Sequence, residues 1–149
     1  MIQRIQSLYL LIAAVLVVLG FFLNWVVYRV GELSLALKPF GSDEGLSAST
    51  LSFLWALLLG VLVATIAQFK NRKQQMRNAR FAIIAAFLAL GGFALDHYWS
   101  MESLGGPEAI EMSYGIAVLI PTLCAVLSWM ALKAIKKDED LVKSVDRLR

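Results

Sequence analysis

The sequence predicts an all-α integral membrane protein, an antiparallel four-helix bundle with both termini cytoplasmic, and three observations carry that prediction. The 149 residues are 59% apolar and 17% charged, with a mean hydropathy of +0.70, a composition far from that of a water-soluble domain. The charges are gathered into blocks with long uncharged runs between them. Lys and Arg fall almost entirely into alternate blocks.

A helix crossing about 30 Å of hydrocarbon needs roughly 20 apolar residues. The first span, residues 6–28, lies in the 24 uncharged residues between Arg4 and Arg29. That run exceeds the roughly 7–15 residues of a signal-peptide core. In the outer loop 29–46, Leu33, Leu35 and Leu37 alternate with Glu32, Ser34, Ala36 and Lys38, a period of two that suits a short strand. The second span, 47–69, occupies the 25 uncharged residues between Glu44 and Lys70. A basic turn, 70–80, leads to the third span, 81–99. Only 15 uncharged residues run from Phe81 to Leu95, about 22 Å of helix, so this span must continue through Asp96 and His97 to Trp99. In the outer loop 100–111 the turn signal Gly105, Gly106, Pro107 precedes an alternating stretch at 109–113, a candidate partner for the first strand in a two-stranded cap. The fourth span, 112–132, fills the 21 uncharged residues between Glu111 and Lys133 and contains Pro121, expected as a mid-span kink. The tail, 133–149, is charged.

Orientation follows from the cations. Twelve of the 14 basic residues lie in the N-terminus, the 70–80 turn and the tail, whereas Arg29 and Lys38 face seven acids on the other side. By the positive-inside rule the termini and the turn are cytoplasmic. Trp25, Tyr28, Trp55, Tyr98, Trp99, Tyr114 and Trp129 stand near span ends, the level at which amphipathic rings settle. Small residues let helices approach in lipid, and Ala82, Ala85, Ala86, Ala89 and Gly92 form such a face on the third span, with Gly60 and Ala64 as its expected counterpart on the second. A homodimer face is the competing reading of these stripes.

The candidate chemistry is sparse. Asp96 and His97 are a polar site at membrane depth, weighed against a wet, interfacial position beside Tyr98 and Trp99. Cys124, the one cysteine, lies inside the fourth span, where a thiol keeps little reactivity. No metal-ligand spacing, phosphate loop or catalytic order signature is visible, so catalytic residues, metal and cofactor are all expected to be absent. Lys70, Arg72, Lys73, Arg77 and Arg80 read as a membrane-surface basic turn that meets anionic headgroups, not nucleic acid. Residues 138–149 read as an amphipathic helix. Leu141, Val142, Val145 and Leu148 make its apolar stripe and Glu139–Lys143 an i,i+4 pair. Twelve residues are too few to hold a helix alone, so the stripe is expected to dock on headgroups, on the basic turn or on a separate protein.

The opening MIQRIQSLYLL, the ending ALKAIKKDEDLVKSVDRLR and the middle FKNRKQQMRNAR resemble the two ends and the basic cytoplasmic turn of the DUF4293 family, small four-span proteins from Bacteroidota. A cysteine often falls within that turn in the family; here Asn78 and its neighbours stand instead, which argues against a thiol role there. The resemblance implies a bacterial inner-membrane protein of uncharacterised function and supplies no catalytic residues. The expected function is a non-enzymatic scaffold or adaptor in the lipid bilayer, docking a cytoplasmic or membrane protein partner through its cytoplasmic ends. The alternative is a small transporter or channel subunit using Asp96 and His97, and a membrane enzyme acting on lipid ranks third.

Overall fold

Four helices and a small antiparallel sheet make up the computed structural model, which describes residues 2–40, 42, 43, 46 and 48–146. The helices are α1 (Ile2–Gly20), α2 (Ser49–Ala67), α3 (Arg72–Ser103) and α4 (Ile120–Asp146); the strands are β1 (Val26–Val30), β2 (Leu33–Leu37) and β3 (Glu111–Tyr114). Three helical segments, Ser49–Ala67, Arg72–Ser103 and Ile116–Ser144, are long and apolar enough to cross a membrane, and the apolar segment Ile5–Gly20 of the first helix is shorter. α2 lies along α3, α3 along α4, α4 along α1 and α1 along α2.

The first helix is shorter than the uncharged run that contains it. α1 stops at Gly20 rather than continuing to residue 28, and two buried indoles explain where it ends. Trp55 donates Nε1 to Val17 O at 2.9 Å and Trp25 donates Nε1 to Gly20 O at 3.1 Å, satisfying carbonyls that a helix end leaves without partners. A Cβ on Gly20 would stand 2.6 Å from Trp55 Cζ2, so only glycine lets the ring lie against the helix. Trp25 and Trp55, expected at the headgroup level, are fully buried and pack edge to face with centroids 4.9 Å apart.

The released chain forms β1, whose VVYRV run is rich in β-branched residues. The sheet order is β2-β1-β3. Both expected strands therefore exist, but they are not partners: each pairs antiparallel with β1, Tyr28 standing opposite Leu35 on one side and Met112 on the other. A two-residue loop joins β1 to β2 with Gly31 at φ +61°, the position that type II′ hairpin turns give to glycine.

The other boundaries move for similar reasons. The basic turn is short, because Asn71 caps α3 by accepting the Gln74 N–H at 3.2 Å, and most of 70–80 is the first part of that helix. Residues 111–114 belong to the sheet, so α4 begins at Ile120 after a 3-10 turn, Ile116–Leu119. Pro121 consequently sits in the first turn of α4, where its missing N–H costs nothing, rather than in a mid-span kink. The tail to Asp146 continues α4 without a break. The alanine face of α3 is buried as expected, and a Cβ on Gly92 would meet Leu54 Cδ1 at 2.6 Å. Gly60 is exposed with open space beside it, so it is no part of that contact.

Candidate functional site

Two polar regions lie at opposite ends of the helices. Gln6 Nε2 donates to Ala134 O at 3.2 Å and Arg72 pairs with Asp138 at 3.0 Å, which gathers the start of α1, the α2–α3 turn and the far part of α4 at one end. The sheet stands at the other.

At the sheet end, consecutive residues on α3 point in different directions, about 100° apart. Asp96 is 1% exposed, and its Oδ2 accepts the Leu51 N–H at 2.7 Å. Leu51 lies in the first turn of α2, whose N-cap residue Ala48 makes no side-chain cap. Asp96 therefore supplies across the helix interface the acceptor and the negative charge that an N-terminus favours. The wet interfacial position expected for it is corrected: α3 runs on to Ser103 and α2 covers the carboxylate.

His97 turns toward the sheet. Its Nδ1 lies 2.5 Å from Tyr28 Oη and its Nε2 3.1 Å from Tyr114 Oη, and its ring stacks against Tyr28 and Phe93 at centroid distances of 5.6 Å. A neutral imidazole offers one donor and one acceptor, so with both nitrogens engaged the two hydroxyls take complementary roles. The imidazole is thus framed by tyrosines from β1 and β3 and not by Asp96. The Tyr28 phenol is pushed up to about 12, by its burial first and by nearby Tyr114 second, with a hydrogen bond to Ser100 opposing. No three His, Cys, Asp or Glu side chains come together as a metal-binding group among the described residues.

At the opposite end, Lys70, Lys73, Arg77 and Arg80 are exposed, and Arg72 is half-buried. Arg72 forms an ion pair with the Asp138 carboxylate and donates to the Asp138 carbonyl at 3.5 Å, so the turn meets the tail through an ion pair. A cleft of about 480 Å³ lined by Lys70, Arg72, Lys73, Glu139 and Val142 lies beside it. The Glu139–Lys143 pair forms at 3.3 Å. Leu141 and Val142, however, are 47% and 43% exposed, so neither is buried against the turn, although Val142 borders that cleft. The side chain of Val145 and all of Leu148 lie outside the described residues.

The family described as domain of unknown function (DUF4293) matches residues 2–148, nearly the whole chain. The chain belongs to the DUF4293 family. Among curated proteins none matches it. In the sequence of this DUF4293 protein Tyr28 and Tyr114 both stand near expected span ends, which hides their partnership with His97. The alternation of Val26, Tyr28 and Val30 was the available signal for Tyr28. Nothing local in the sequence marks Asp96 as a cap for a helix 45 residues away.

Proposed function

We propose that this DUF4293 protein is a non-enzymatic scaffold or adaptor of the bacterial inner membrane, a four-span bundle with both termini cytoplasmic, whose far end of α4 is a docking platform for a protein partner. The observation that carries the reading is the unbroken course of α4 to Asp146, braced by Arg72–Asp138 while Leu141 and Val142 stay exposed. A helix that continues from the membrane holds those side chains at a set height and angle, and such preorganisation lowers the entropic cost of binding. The reading is supported over transport by the engagement of Asp96 with Leu51: a carboxylate holding a helix end in place is poorly suited to taking up and releasing a cation.

Two measurements test this proposal. In a Cys124→Ser background, Glu32→Cys and Glu108→Cys are expected to react with an impermeant maleimide added from the periplasm and Lys73→Cys to be shielded; the reverse pattern refutes the topology. A photocrosslinking residue at Val142 is expected to yield one discrete protein adduct in cells that a Leu141→Ser change abolishes. Crosslinking to lipid alone, or an adduct indifferent to Leu141, overturns the docking role.

A further inference from the structure

α3 and α4 do not close on one another along their whole length. An apolar groove of about 250 Å³ lies between them, lined by Ile83, Phe87, Ala125, Val126 and Trp129. In water such a groove would be a docking surface for apolar side chains, but in a membrane its natural occupant is an acyl chain. The lipid type is decided by what stands at its end.

Arg80 precedes Ile83 and Phe87 by three and seven residues, and Lys133 follows Trp129 and Val126 by four and seven. These spacings keep each cation on the groove face of its own helix. The Arg72–Asp138 pair aligns the two helices: Arg80 lies eight residues, about 12 Å, along α3 from it and Lys133 five residues, about 7.5 Å, back along α4. The two cations therefore stand within roughly one helical turn of the same depth. Lys133 Nζ is 3.6 Å from the centroid of the Trp129 ring, an aromatic and a cation together at the level where headgroups begin. Beyond it a second cleft, about 520 Å³, is lined by Lys133, Lys136 and Lys137 with Asp140. Among the described residues the ion pairs are Arg72–Asp138 and Lys143–Glu139, leaving Arg80 and Lys133 without a carboxylate partner.

We propose that the α3–α4 groove is a binding site for one anionic glycerophospholipid, with an acyl chain against Phe87 and Val126 and the phosphate held between Arg80 and Lys133. A free phosphate shares the headgroup chemistry but has no use for the groove, whereas a zwitterionic lipid would fill the groove without adding net negative charge beside Arg80 and Lys133. The site depends on α3 and α4 lying in a bilayer and is independent of any partner docked on the tail.

The test is native mass spectrometry of the full chain in mild detergent with dioleoyl phosphatidylglycerol or dioleoyl phosphatidylcholine. One tightly held phosphatidylglycerol is expected, in clear preference to phosphatidylcholine and undisturbed by millimolar inorganic phosphate. Arg80→Gln with Lys133→Gln is expected to weaken retention roughly thirtyfold, about fivefold for each cation near a headgroup. Val126→Trp, at an exposed position where a larger ring fills the groove, is expected to abolish the one-lipid adduct while the protein stays monodisperse. Equal retention of the two lipids, displacement by phosphate, or unchanged binding by either variant overturns the proposal.

Discussion

Replacing Asp96 tests whether its carboxylate is a structural cap. In Asp96→Ala the Leu51 N–H, now bonded at 2.7 Å inside the protein, loses its acceptor in a place water does not reach. A lost N-terminal cap costs about 1 kcal/mol and a stranded buried amide about 1–3 kcal/mol; the two overlap, so a loss of about 2–3 kcal/mol is expected. Asp96→Asn keeps an acceptor oxygen and gives up only the attraction between the charge and the helix N-terminus, about 1 kcal/mol. For a chain of this size each kcal/mol moves the melting temperature by roughly 2–4 °C. Thermal unfolding in detergent followed by tryptophan fluorescence is therefore expected to show a fall of roughly 4–12 °C for Asp96→Ala and roughly 2–4 °C for Asp96→Asn. Hydrogen exchange at the Leu51 amide is expected to accelerate in the alanine variant, while amides in the middle of α2 keep their protection. A melting temperature for Asp96→Ala within 1–2 °C of wild type would refute the capping argument, where "within 1–2 °C" means roughly the effect of half a kcal/mol.

Tyr28, whose phenol is pushed up to about 12, favours its neutral form more in the folded protein than in the unfolded one. Its contribution to stability is fully present below about pH 10, the ordinary tyrosine value, and is lost as pH rises from there through 12. The difference in 295 nm absorbance between wild type and Tyr28→Phe is expected to show one phenol ionising near pH 12; ionisation near 10 would show that burial does not govern it. Gly60 and Gly92, both helical, are expected to respond oppositely. Gly60→Ala, with open space beside it, gains up to about 1 kcal/mol of helix propensity. Gly92→Leu drives into Leu54 and Thr50 and loses about 1–3 kcal/mol or more by overpacking, both read as melting-temperature shifts against wild type.

The sequence by itself determined the helical, membrane-type character of this protein and the approximate place of three long apolar helices. Long uncharged runs have few stable forms in hydrocarbon, where every backbone amide must be paired within the protein. The strands 33–37 and 111–114 were legible in part because a half-buried strand alternates at every second residue, and the buried alanine face of α3 because small residues recur at helical spacing. What only the tertiary structure decided depends on contacts between distant parts of the chain. The uncharged run of residues 5–28 contains both a helix and a strand, and hydropathy cannot divide them; the division at Gly20 comes from Trp25 and Trp55 reaching the last carbonyls of α1. β1 is the centre of the sheet because both neighbours pair with it, which neither neighbour's own pattern records. Asp96 and His97, adjacent in sequence, separate because the helix turns each toward a different element, one to the N-terminus of α2 and the other to two tyrosines of the sheet. Charge spacing reports how far a residue lies along its own helix, but only packing decides what covers it.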